Sequence, residues 1–271
     1  MGQAALKRSA TQRFIQEYPE CCFCGGRSAT RDHMPPKSLF DRSYRPDKLV
    51  MPACAVCNKG TSTADLTVAI VSRWNYLSSE QEDLDHSKLA RRIRSQAPEL
   101  FAEWTQHNLL GRIKGRRHLI EQGVPVPPDA AIVTIGSHTI RQLNLFAHKA
   151  VLALYFEHFR QRLPNTGAYC AFWRSKEDYV AEGMPQRLLD MLPAYGTLVQ
   201  GSWDESETFE YRHAINFSEG ILGFFARLRR GLFISGFAVS SDSHVPTDDT
   251  DWVRPGDLLG LMDTPRFQKK R

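Results

Sequence analysis

Cys21-x-x-Cys24, Asp32-His33 and Cys54-x-x-Cys57-Asn58 are the residues of this chain whose types and spacing most directly imply chemistry. Two thiols with two residues between them can aim both sulfurs at one ion, and four thiolates at about 2.3 Å complete the tetrahedral shell of a structural zinc. Gly25-Gly26, directly after Cys24, tolerates the unusual backbone angles of such a knuckle. The 29 residues between Cys24 and Cys54 leave room for a hairpin and a loop. The same cysteines are compatible with two other arrangements, reduced core thiols or the disulfides of a secreted protein. The N-terminus reads Met-Gly-Gln-Ala-Ala-Leu-Lys-Arg, with no apolar leader, which argues against an oxidising compartment. Cys22 lies at the wrong gap from Cys24 for a knuckle, and Cys170 is far away and reads as a small buried hydrophobe.

Between the cysteine pairs, Asp32-His33-Met34-Pro35-Pro36-Lys37 sets a carboxylate beside an imidazole on a chain stiffened by two prolines. Neighbours on an extended segment point to opposite sides, so the two residues divide their labour. An imidazole titrating near neutrality suits a general base that activates water against phosphorus. Asp32 and the amide oxygen of Asn58 are hard oxygen donors of the kind magnesium or manganese prefers. Such an ion stabilises the charge on pentavalent phosphorus and on the leaving oxygen during phosphodiester hydrolysis.

These residues, in this order, resemble the HNH (His-Me finger) endonucleases, in particular their zinc-bearing, endonuclease VII-like branch. The run Asp32-His33-Met34-Pro35-Pro36-Lys37 also resembles bacterial members with an Asp-His-x-Pro-Pro-Lys signature. The resemblance covers residues 18 to 68. It implies a β-hairpin followed by a helix around one catalytic metal, a treble-clef-like ββα-metal finger. Cys21, Cys24, Cys54 and Cys57 would hold structural Zn²⁺ outside the chemistry, His33 would be the base, and Asp32 and Asn58 would hold Mg²⁺ or Mn²⁺. It also implies a nucleic-acid partner, DNA more than RNA, and a place in bacterial defence or a mobile element. One departure stands out: many members carry an Asn just before the Leu-Val that leads to the third cysteine, where this chain has Lys48. A lysine cannot both donate and accept as an amide does, though it can meet phosphate. Lys37 and Lys59 are further candidates for phosphate contact. Ser62-x-x-Asp65 reads as a helix-capping pair.

The surrounding chain must position these groups. Its 271 residues, 42% hydrophobic, suffice for a packed core. No stretch approaches the roughly 20 apolar residues of a membrane span, so a soluble, cytoplasmic protein is expected. Residues 1 to 123 hold 19 Lys and Arg against 13 Asp and Glu, whereas residues 124 to 271 hold 16 against 17, so the positive charge travels with the cysteines. Three divisions are expected: a finger over 1–68, a basic helical segment over 69–123, and an α+β unit over 124–271 that selects substrate, senses a signal or binds a partner or second copy.

Leu66, Ala69, Ile70, Trp74 and Leu77 predict one helix, and Leu89, Ile93 and Ala97 a second. Pro98 suits the start of a third, running through Leu100, Phe101, Trp104, Leu109 and Ile113. Lys88, Arg91, Arg92, Arg94, Arg112, Lys114, Arg116 and Arg117 along this stretch form either a solvated face or a phosphate-contacting one. Pro125, Pro127 and Pro128 mark the boundary. A long helix buried on most sides follows at 143–159. Five strands are then expected at 168–173, 197–203, 209–217, 221–228 and 232–239, forming an antiparallel sheet packed on that helix. The scattered His138, His148, His158, His213 and His244 read as structural or surface residues, and the Asp248, Asp249 and Asp251 segment as solvated loop. The sequence therefore supports a metal-dependent endonuclease, with a non-catalytic zinc module that binds nucleic acid or protein as the alternative.

Overall fold

The structure, a computed structural model, describes residues 3–41, 45–74, 80–105, 109–128, 130–133, 135–200, 203–246, 251–256 and 258–260. Leu77, Asp248 and Asp249 lie outside the described residues. The chain is α+β. Helix α1 (Gln3–Glu17) leads to a two-stranded antiparallel sheet of β1 (Thr30–His33) and β2 (Val50–Ala53), in which His33 faces Val50 and Thr30 faces Ala53. Helices α2 (Ala55–Gly60) and α3 (Ser62–Val71) follow, then α4 (Glu80–Gln96), α5 (Pro98–Thr105), α6 (Leu109–Glu121) and the long α7 (Ser137–Phe159). The C-terminal part holds β3 (Ala168–Ser175), α8 (Lys176–Glu182), α9 (Gln186–Asp190), β4 (Ala194–Thr197), a small hairpin of β5 (Val199–Gln200) and β6 (Trp203–Asp204), and then β7 (Phe209–Asn216), β8 (Ile221–Leu228) and β9 (Leu232–Val239). Five of these strands form one antiparallel sheet in the order β3-β9-β8-β7-β4.

Helix α7 organises the molecule because almost its whole circumference is apolar. From Leu143 to Phe156 its buried residues include Leu145, Phe146, Ala150, Val151, Leu152, Leu154 and Tyr155. One side packs on α3 and β2, the other on β3 and β9 of the large sheet. A helix apolar all round belongs between two layers, and here the layers are the cysteine-bearing segment and the five-stranded sheet. No side chain of its own caps its N-terminus. Instead the Glu103 carboxylate, from α5, accepts from the backbone N–H groups of Gly136, His138 and Thr139 at 2.9, 2.9 and 3.1 Å. An anion at the positive end of the helix satisfies donors that would otherwise be orphaned.

The three divisions expected from composition share one hydrophobic core, which runs from Cys21 and Phe23 through α3 and α7 to Leu222, Phe224 and Ile234. Two arginines stitch the seam. Arg73 donates to the carbonyls of Ala69 and Leu39 at 2.6 and 2.9 Å, and Arg229, from the β8–β9 turn, donates to Leu39 at 2.8 Å. Both also reach Asp41.

Several expectations change. The helix read through Trp74 stops at Val71, because Ser72 and Arg73 turn the chain and the Ser72 carbonyl accepts from Gly231 at 3.2 Å. Trp74 instead meets Trp104 edge-on at 5.1 Å. The third helix does begin at Pro98, but it ends at Thr105 and a separate helix starts at Leu109. The strand expected at 197–203 divides into β4, which pairs with β7, and the β5–β6 hairpin. The strands expected at 209–217, 221–228 and 232–239 fall at 209–216, 221–228 and 232–239, and the one expected at 168–173 runs on to Ser175. No helix among the described residues is long and apolar enough to cross a membrane.

Candidate active site

The cysteine pairs converge. The four sulfurs of Cys21, Cys24, Cys54 and Cys57 all lie within 4.8 Å of one another, and those of Cys24 and Cys54 are 3.7 Å apart. Four thiolates around one ion at about 2.3 Å stand about 3.8 Å apart, so the donor set fits tetrahedral zinc. The first knuckle is closed by hydrogen bonds from Cys21 N–H to the Gly26 carbonyl at 2.7 Å and from Gly25 N–H to the Cys21 carbonyl at 2.9 Å. Gly25 has φ +75°, which a side chain would strain. The second knuckle opens α2: the Cys54 sulfur accepts from Cys57 N–H at 3.3 Å as the helix cap. The Cys57 thiol, with desolvation opposing, holds Cys21 down to about 5. Burial pushes the Cys22 thiol well up, and it stays outside the cluster in the core. Cys170 is buried as well.

Strand β1 separates the polar residues by alternation, as expected. Thr30 and Asp32 share one face, Arg31 and His33 the other. On the first face, Asn58 from α2 donates its Nδ2 to Thr30 Oγ1 at 2.9 Å, which leaves Oδ1 as its acceptor end. The Asp32 carboxylate is 8% exposed. Its Oδ1 accepts from His33 N–H at 2.7 Å, while its Oδ2 stands 2.9 Å from the Lys149 ammonium of α7. That approach is an ion pair, and among the described residues no donor is aligned on Oδ2 for a hydrogen bond. The ammonium donates to both oxygens of Asp65, each at 2.9 Å.

Asp65 is therefore not half of a helix cap. The cap residue of α3 is Thr61, and Ser62 Oγ turns to the Lys59 carbonyl at 2.7 Å. Burial raises the Asp65 pKa against the pull of Lys149. Burial also opposes the Lys149 charge, but Asp65 and Asp32 outweigh it and raise its pKa.

On the second face, His33 Nε2 lies 3.6 Å from Asp47 Oδ1, and Arg31 clamps the same carboxylate at 2.9 and 3.0 Å. Burial, then the charges of Arg45 and Lys37, lower the His33 pKa to about 4, so the imidazole is neutral at physiological pH. Arg45 is itself buried and ties down the loop from β1 to β2. It donates to the carbonyls of Pro35, Pro46 and Met34 at 2.8, 2.6 and 2.9 Å. The Met34–Pro35 peptide is cis.

Of the three candidate lysines, Lys37 is exposed and its field reaches His33. Lys48 is exposed and its field acts on Glu157 instead, while Lys59 is exposed in the last turn of α2. The residue beside the imidazole is thus Asp47, not Lys48. Arg116, read as part of a basic face, donates to the carbonyls of Val126, Pro127, Pro128 and Ala130 and serves as a staple. Arg91, Arg92, Arg112 and Lys114 are exposed.

Sequence reasoning missed Asp47, Arg45 and Lys149 as parts of this site. Only Lys149 carried a signal, as a lysine in the middle of an apolar helix.

No family model matches the chain, and no curated protein or solved structure matches it either. The reading of the site rests on its own geometry.

Proposed function

We propose that this chain is a metal-dependent endonuclease of the HNH type that hydrolyses phosphodiester bonds of nucleic acid, DNA rather than RNA. The observation that carries the reading is the convergence of two things on one hairpin-and-helix unit. Four sulfurs are set for zinc, and between them stand a neutral, carboxylate-flanked His33 and an Asn58 whose amide oxygen is left to accept. In this reading β1, β2 and α2 form the treble-clef-like finger, and zinc on Cys21, Cys24, Cys54 and Cys57 holds its shape without entering the reaction.

Residues suited to a second, catalytic ion are present. Asp32 Oδ2 has no aligned hydrogen-bond donor among the described residues, though the Lys149 ammonium lies 2.9 Å from it, and Asn58 offers Oδ1; both are hard ligands of the kind Mg²⁺ or Mn²⁺ takes. That ion would supply charge neutralisation at the phosphate and the leaving oxygen. The remaining work falls to the protein. Asp47, held by Arg31, favours a proton on His33 Nε2 and leaves the Nδ1 lone pair to take a proton from the attacking water. Lys37, exposed and with its charge felt at the imidazole, would meet a substrate phosphate, with Lys59 and the exposed arginines of α4 extending the positive surface.

One observation favours the alternative, a non-catalytic zinc module: Asp32 is nearly closed to solvent by its pairing with Lys149. A cleavage assay separates the two. Supercoiled plasmid, linear duplex, single-stranded DNA and RNA are incubated with Mg²⁺ or Mn²⁺ beside the His33→Ala variant. Nicking or linearisation is expected, with the variant slower by a factor on the order of 10² to 10⁴, as befits loss of a general base. Equal, buffer-level rates for both proteins on every substrate would leave only the binding module.

A further inference from the structure

Lys149 is the residue that neither the zinc cluster nor the proposed hydrolysis uses, and its position is unusual. It sits in the middle of α7, fully enclosed, with its ammonium at the meeting point of four segments. Asp32 of β1 lies at 2.9 Å, both oxygens of Asp65 of α3 at 2.9 Å, and the ring of Phe23, inside the first cysteine knuckle, at 5.9 Å. Taking an ammonium out of water is costly, and apolar side chains of similar volume commonly replace buried ion pairs without loss of stability. Packing alone therefore does not account for a lysine here.

What the ammonium does supply is direction. His33 N–H donates to Oδ1 and the Lys149 charge stands 2.9 Å from Oδ2, so each oxygen of the Asp32 carboxylate has a partner, one by hydrogen bond and one by charge. Partners of this kind, which hold a metal ligand without touching the metal, are a regular part of metal sites.

We propose that Lys149 is a positioning residue of the active site: from α7 it locks the Asp32 carboxylate in the orientation that receives the divalent cation, and so couples the finger's metal affinity to the seating of α7. The proposal rests on the nuclease reading, in which Asp32 is a metal ligand. It makes the C-terminal half part of the catalytic centre, because the grip on Asp32 comes from a residue 117 positions further along the chain.

The test is a Mn²⁺ titration of the full, zinc-loaded chain followed by electron paramagnetic resonance, with cleavage measured in parallel over the same Mn²⁺ range. Wild type is compared with Lys149→Met and with the double variant K149M/D65N. The single variant leaves two carboxylates facing each other and is at risk of misfolding. The double variant restores the formal charge of the cluster to −1, as in wild type, and carries the test if the single one fails. Zinc content and near-ultraviolet circular dichroism report the fold of each.

The expected result is a folded variant with one zinc per chain, a Mn²⁺ dissociation constant raised about tenfold or more, and cleavage that recovers toward the wild-type limit as Mn²⁺ saturates. A purely structural role would lower thermal stability and leave that binding curve in place. Wild-type Mn²⁺ affinity in the folded variants overturns the proposal. Tighter binding overturns it too, since the ammonium would then be repelling the ion. If wild type neither binds Mn²⁺ nor cuts, the nuclease reading falls and takes this one with it. If wild type does both and the variants match it, only the assignment of Lys149 fails.

Discussion

The neighbour of the His33 imidazole is the Asp47 carboxylate, 3.6 Å from Nε2. The amide expected one position later is Lys48, and the group that reaches the imidazole is Asp47. The reason is local. Val50 pairs directly with His33, so strict alternation would bring residue 48 to the same face, but Leu49 adopts φ +50° and shifts the phase by one residue. Asp47 is 58% exposed, so removing its carboxylate should disturb the fold little. Asp47→Ala is expected to keep its melting temperature and zinc content while cleavage at neutral pH slows by about tenfold, a fraction of the general-base contribution. Arg31→Met should fall in the same direction, because Arg31 holds that carboxylate at two oxygens. Unchanged rates in both variants, measured on the preferred substrate, would remove Asp47 from the site.

Among the elements, those with a strong local signal were legible. Both knuckles followed from cysteine spacing, four strands of the large sheet from apolar runs between turn residues, and the start of α5 from Pro98. Those set by distant partners were not. The end of α3 depends on Gly231, from the β8–β9 turn, and α7 is capped by a glutamate of α5. Zinc held by the four cysteines would matter at this scale because it would tie the first knuckle to the start of α2. The knuckle at Cys21–Cys24 precedes β1, and Cys54 caps α2 through its sulfur. Chelation, or Cys54→Ser, is therefore expected to lower the melting temperature and release the finger, as metal affinity is folding free energy in such modules. A chromophoric chelator should count one zinc released per chain. Cys22→Ser, by contrast, should cost stability through a hydroxyl forced into a core position that is 1% exposed, and keep the full zinc count. A chain that melts identically with and without chelator, or a Cys22 variant that loses its zinc, would show the cluster to be assigned wrongly.

At the scale of the whole molecule, α7 was legible as a buried helix but not as the layer between finger and sheet, since the pairing of Lys149 with Asp32 and Asp65 spans too much sequence for any local pattern. The same central position has a consequence for acid stability. His158, at the end of α7, has its ring 4.4 Å from that of His213 of β7, tilted by 32°, and approaches the Tyr211 hydroxyl at 3.2 Å. Burial, then the charges of His213 and Arg160, lower the His158 pKa to about 4, and burial lowers that of His213. Burial alone brings His148, in the middle of the helix, to about 4. An unfolded histidine takes its proton near 6.5, so between about 6.5 and 4 the unfolded chain binds protons that the folded one refuses. The stability that the neutral imidazoles of His158 and His148 permit is complete above pH 6.5 and is lost as pH falls toward 4, and His213 shifts in the same direction. The melting temperature should therefore drop through that window, before most carboxylates are protonated. Replacing His158 by Gln removes the group that must stay uncharged against both a second imidazole and Arg160, so the slope of melting temperature against pH should flatten between 6.5 and 5. An H158Q curve parallel to wild type over that range would mean that the acid sensitivity arises elsewhere than at the junction of α7 and the sheet.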